Sequence, residues 1–92
     1  MATTRKSIYR NEKRLIWKRD GSACFYCMTI MKFEEATIEH LIPKSREGSD
    51  TIENLVLACF NCNNEVGILP LNRKVNYAIK TRVELILKNQ KI

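Results

Sequence analysis

Residues 36–67, ATIEHLIPKSREGSDTIENLVLACFNCNNEVG, decide how this chain folds. The segment holds the chain's single histidine, His40, directly after a carboxylate, Glu39. Ala36 to Leu41 reads as a strand ending at His40, because Pro43 lacks the amide hydrogen that continued pairing needs. Lys44 to Glu53 is polar, with Gly48, Ser49 and Asp50 as turn residues, and reads as a surface loop. Leu55 to Ala58 is a short apolar run between Asn54 and Cys59, hence the partner strand. Phe60 to Val66 reads as a short helix stopped by Gly67 and Pro70. The segment closes on Cys59-Phe60-Asn61-Cys62-Asn63, and a second CxxC, Cys24 to Cys27, lies upstream.

Both flanks read as basic helices. From Ser7 to Asp20, Ile8, Leu15 and Ile16 fit one face with Trp17 beside them; Ser7 is the expected N-cap and Gly21 the stop. In so small a domain Trp17 is expected in the core. Ala23 to Met28 forms the first cysteine knuckle, with Tyr26 packed on it, and Ile30, Met31 and Phe33 of the following link face inward. The last helix is expected over residues 72–89, capped by Asn72. Val75, Ala78, Ile79, Val83 and Ile86 follow helical spacing and should pack on the strands and first helix. Arg73, Lys74, Lys80 and Arg82 should then face solvent or a phosphate backbone. The expectation is one small α+β domain over residues 1–92, with its core at 22–67 and helices at 7–20 and 72–89.

The 92 residues carry a net charge of +6, unevenly placed. Residues 1–20 and 72–92 are each +5, and residues 21–71 are −4. Basic ends around an acidic centre suit a polyanion held by the flanks while a cation works in the middle, so DNA is the expected partner. The start, MATTRKSIYRNEK, is charged with no apolar stretch behind it, so no secretory signal is expected, and no apolar run approaches the roughly 18 residues of a membrane span. A reducing, cytoplasmic compartment and no membrane partner are expected, and there paired CxxC units read as zinc ligands before disulfides. A chain this short also needs a metal or a partner to supplement its core, and a homodimer is plausible.

Cys24, Cys27, Cys59 and Cys62 supply a full set of four thiolates, which closes a tetrahedral Zn²⁺ sphere and makes that metal structural. The 31 residues between Cys27 and Cys59 exceed the separation in a simple zinc ribbon. The insert carries Glu39, His40 and Asn54. Glu39 and Asn63 offer oxygen donors suited to a hard cation, Mg²⁺ or Mn²⁺. His40 adjoins them and is suited to take a proton from water, while Asn54 holds the loop or orients the imidazole. A divalent cation beside a general base is the equipment for phosphodiester hydrolysis.

In the order of these residues, Cys24 and Cys27, Glu39-His40, Pro43, Asn54, Cys59, Cys62 and Asn63, the chain resembles the HNH endonuclease family of bacterial or phage type. The resemblance spans about half the chain. It implies a ββα-metal motif inside a Cys₄ zinc site, with His40 as general base, Glu39 and Asn63 on the catalytic cation, and Asn54 constraining the loop. Lys44 and Arg46 are candidate phosphate contacts beside those of the last helix. Two departures stand out. The acid before the histidine is commonly Asp in the family but is Glu39 here, and Asn64, Glu65 and Val66 stand where a lysine often follows the second knuckle. Glu65 is a further oxygen donor there. The competing expectations are a zinc-ribbon DNA-binding module with a weak catalytic site, and an accessory factor of a phage packaging or recombination machine.

Overall fold

A computed structural model describes residues 10–90. At its centre β1 (Thr37–His40) pairs antiparallel with β2 (Leu55–Ala58), in the register Thr37↔Ala58, Ile38↔Leu57, Glu39↔Val56 and His40↔Leu55. β2 reads Leu-Val-Leu-Ala and is buried at every position, because α1 (Arg10–Asp20) lies against it. An uninterrupted apolar run is what a strand covered on both faces requires. α2 (Phe60–Val66) follows at once and packs on β1; Cys59 is its N-cap, and the cysteine sulfur accepts the Cys62 amide. The architecture is therefore small α+β with a ββα core, as the sequence predicts.

α1 buries Ile16 completely and is fixed by Arg19, whose guanidinium donates to the carbonyls of Ile52 and Leu55, both at 2.8 Å. It ends at Gly21, which adopts φ +85° and donates its amide to the Trp17 carbonyl at 2.8 Å. The expected cap Ser7 and the apolar Ile8 lie outside the described residues. Trp17 packs half-buried against the core and meets Phe33 edge-on, with ring centroids 5.3 Å apart. The first knuckle is joined to β2 by the Phe25 amide, which donates to the Leu57 carbonyl at 2.9 Å. Of the link residues expected inside, Met31 is buried and Phe33 half-buried, but Ile30 is 73% exposed. Ile30 pairs with Ala23 in an isolated antiparallel bridge, and successive side chains there turn to opposite sides, so Met31 takes the inward position.

The polar loop between the strands contains two single 3₁₀ turns, Lys44–Arg46 and Ile52–Asn54. Gly48 is required by close approach: a Cβ there would lie 1.7 Å from the Ile42 carbonyl oxygen.

α3 (Leu71–Asn89) corrects two expectations. Pro70, with φ −66°, is its N-cap, so Asn72 falls inside the first turn and caps nothing. The apolar stripe faces outward: Val75, Ile79, Val83 and Ile86 are 38–55% exposed, and only Ala78 of the expected set is buried. The helix docks instead through Lys74, Ala78, Thr81 and Arg82. Thr81 donates its hydroxyl to the Tyr26 carbonyl, and Arg82 donates to the Phe25 carbonyl while its guanidinium lies 5.0 Å over the Phe25 ring.

Candidate active site and metal centre

The four cysteines that the sequence pairs are brought together in space. One sulfur from each of Cys24, Cys27, Cys59 and Cys62 lies within 4.8 Å of all the others, and none is in a disulfide. Tetrahedral Zn–S bonds of about 2.3 Å place sulfurs about 3.8 Å apart, and the Cys27 and Cys59 sulfurs are 3.9 Å apart. Amides of Tyr26 and Cys62 donate to the sulfurs of Cys24 and Cys59, both at 3.4 Å, as turns that stabilise thiolates do. Burial pushes the Cys24 and Cys62 thiols above their usual range. Cys27 is also opposed by burial, but the Thr29 hydroxyl and amide outweigh it and bring the thiol down to about 7. Such a crowded thiol set is relieved by one cation that deprotonates all four, so the donor set fits Zn²⁺.

The second cluster lies at the end of β1. Glu39 is buried at 4% exposure, and its Oε2 accepts from the Tyr26 hydroxyl at 2.6 Å and from the Lys74 ammonium at 2.7 Å. Lys74 also donates to the His40 carbonyl at 2.6 Å and is itself 1% exposed. Burial, and then the hydrogen bond to Glu39, hold the Tyr26 phenol far above its usual range, so it remains a donor. The expectation that Lys74 and Arg82 face solvent is therefore corrected. Lys74 is drawn inside by the carboxylate, and Arg82 is held by the knuckle carbonyl.

His40 keeps 17% side-chain exposure, and its Nε2 is 2.8 Å from Asp50 Oδ1; the other Asp50 oxygen accepts from Lys44 at 2.8 Å. Lys44 thus reaches the site through Asp50. In sequence, Asp50 reads only as a turn residue, and the one clue to more is that its loop must return past His40 to start β2. Asn54 does not bond the imidazole. Its Oδ1 accepts the Ile42 amide at 2.8 Å, and its Nδ2 donates to the carbonyls of Ile42 and Ser49 at 3.0 and 2.9 Å. All three bonds brace the loop that carries Lys44 and Asp50.

Asn63, on α2, donates Nδ2 to the Thr37 hydroxyl at 2.8 Å and the Ile38 carbonyl at 3.2 Å, which turns its Oδ1 away from those bonds. Thr37 and Glu39 alternate onto one side of β1, so Asn63 is fastened on the Glu39 side. One carboxylate and one amide oxygen are the donor types a hard divalent cation takes, and here Glu39 Oε2 is engaged by Tyr26 and Lys74. Among the other residues singled out, Arg46 donates to the Ile68 carbonyl at 3.1 Å, and Arg73, Lys80 and Glu65 are exposed. Among the described residues no helix is long and apolar enough to cross a membrane.

Residues 24–67 match the family model for HNH endonuclease. Over 54 residues, 58% of this chain, the sequence is 35% identical to the CRISPR-associated endonuclease Cas9 of Corynebacterium diphtheriae. The match spans only 5% of that protein's length.

Proposed function

Residues 24–67 are an HNH endonuclease domain, and from that premise we propose that this protein hydrolyses DNA phosphodiester bonds with His40 as general base. The His40–Asp50 contact carries the reading. A carboxylate at Nε2 accepts a hydrogen bond from the N–H of that nitrogen, which favours the tautomer whose basic lone pair is on Nδ1. Nδ1 then takes the proton of the attacking water, and Asp50 stabilises the imidazolium that forms. Glu39 and Asn63 hold a divalent cation, Mg²⁺ or Mn²⁺, which when bound polarises the scissile phosphate. The four cysteines hold a structural Zn²⁺. Arg46, Arg73 and Lys80 supply exposed positive charge for the DNA backbone.

A plasmid-cleavage assay with Mg²⁺, Mn²⁺ or EDTA tests this. Cleavage by the wild type that EDTA stops and His40→Ala abolishes, with zinc content and DNA binding retained, is the expected result. Full activity of a clean His40→Ala preparation would falsify it. The Lys74 ammonium on Glu39 favours a second reading, a DNA-binding module, because a carboxylate already paired is a poorer metal ligand. Tight DNA binding without cleavage under any divalent cation would select that alternative.

A further inference from the structure

The nuclease reading leaves one group without a role, the ammonium buried in the site. A lysine is rarely taken fully out of water unless it is paired, and Lys74 has three constraints on its placement. It is 1% exposed, it lies 2.7 Å from Glu39 Oε2, and it donates to the His40 carbonyl at 2.6 Å. One side chain thus grips the carboxylate of the metal-binding residue and the backbone of the general base next to it. It also cancels the charge of Glu39, the only charged donor of the pair Glu39 and Asn63.

We propose that Lys74 is a positioning residue that makes occupation of the catalytic cation site depend on DNA. This rests on the nuclease reading. With Lys74 in place, the ammonium, the carboxylate and the neutral Asn63 amide sum to no net charge, so a divalent cation is held weakly by the protein alone. A phosphodiester brought to the site supplies the missing negative charge, and the cation then binds together with its substrate. The ammonium keeps Glu39 and the His40 backbone in place until that happens. The same arrangement limits idle metal binding at a site whose carboxylate would otherwise be buried without a counter-ion.

The test measures Mn²⁺ affinity directly, by calorimetry or by the spin-resonance signal of free Mn²⁺, on zinc-loaded full chain. Measurements are made with and without duplex DNA, in a His40→Ala background that prevents cleavage. A unit charge a few Å from the ion is worth more than tenfold in affinity even at an effective dielectric of about 20. Lys74→Met should therefore tighten Mn²⁺ binding to the free protein by about tenfold or more and shrink the enhancement that DNA gives. Lys74→Arg, which keeps the charge, should bind Mn²⁺ as weakly as the parent. A purely structural lysine would give the opposite sign, since its loss could only loosen the site. Unchanged or weaker Mn²⁺ binding in Lys74→Met overturns the proposal. If that variant does not fold, the ¹⁵N resonance of the Lys74 ammonium decides: it should move when Mg²⁺ is added with DNA and far less with Mg²⁺ alone. A resonance indifferent to both overturns the proposal. Mn²⁺ binding that needs Glu39 but ignores Lys74 removes this inference alone, whereas binding unaffected by Glu39→Gln removes the nuclease site as well.

Discussion

Replacing Asn54 by alanine should loosen the loop that holds the general base, and the loss can be estimated from its bonds. Asn54 is 9% exposed and makes three side-chain hydrogen bonds, at 2.8, 3.0 and 2.9 Å, to the Ile42 amide, the Ile42 carbonyl and the Ser49 carbonyl. Alanine removes all three. A typical bond nets about 1 kcal/mol, and a buried group left unsatisfied costs about 1–3 kcal/mol. The bond from the Leu41 amide to the Asn54 carbonyl, at 2.9 Å, survives, and water reaches part of the loop. A destabilisation of about 3 kcal/mol follows, a large share of the roughly 5–15 kcal/mol that holds a domain together. Because Lys44 and Asp50 sit on the same loop, cleavage should fall as well, by about 10- to 100-fold, part of what a general base contributes. Urea unfolding of the zinc-loaded variant, followed by circular dichroism, gives the stability term, and hydrogen exchange at the Ile42 amide localises it. Asn54→Asp is the companion variant. It keeps the acceptor for Ile42 but turns a second acceptor toward two carbonyls, so it should be no more stable than alanine. A loss under about 1 kcal/mol in Asn54→Ala, or an aspartate variant as stable as wild type, would refute this reasoning.

Purified protein should contain about one zinc per chain, and chelation should abolish the folded circular dichroism signal, because the knuckles anchor both β2 and α3; metal-free protein that remains folded and reduced contradicts this. Gly48→Ala should cost more than about 2 kcal/mol by thermal melting, since the added methyl would sit 1.7 Å from the Ile42 carbonyl oxygen and the loop must shift. Neutralising Arg46, Arg73 and Lys80 together should reduce the slope of log affinity against log salt by up to about 3. Arg82→Ala should instead lower stability, having lost the Phe25 carbonyl and ring, with little change in that slope. A last comparison sets Glu39→Asp against wild type: the shorter carboxylate should lose the Tyr26 and Lys74 contacts, and reduced cleavage would show that the site is built around Glu39.

What the sequence revealed was whatever its local chemistry determines. Pro43 ends β1, the Leu55–Ala58 run is β2, the CxxC spacings set the sulfur cluster, and Gly21 and Gly67 stop their helices in positive φ. Asp50 escaped because its turn chemistry already accounts for an acid between Ser49 and Thr51, while its partner His40 lies 10 residues away. Asn54 was legible as a loop constraint but not in detail. Which groups its amide would bond depended on how the chain returns from Pro43, and the bonds go to Ile42 and Ser49.

The misreading of α3 has an energetic cause. Val75, Ile79, Val83 and Ile86 form the apolar stripe, but Lys74, Ala78, Arg82 and Leu85 each stand one residue earlier, rotated by about 100°. This second face is the buried or half-buried one. Periodicity of hydropathy passes over it because it is headed by a lysine. Rotating the helix to bury the apolar stripe would complete the burial of Val75 and Ile79, now 38% and 55% exposed, for a gain of about 2–3 kcal/mol. It would strand Glu39 without its counter-ion, at about 3–5 kcal/mol, and deprive the Phe25 and Tyr26 carbonyls of donors at about 1–3 kcal/mol each. Val83, Ile86 and Leu87 do not shift that balance, because they lie beyond Arg82, the last residue of α3 bonded to the knuckle. The docking of α3 is thus decided by polar groups already committed to the site, with Glu39 requiring a buried cation whose position then sets which face of the helix turns inward.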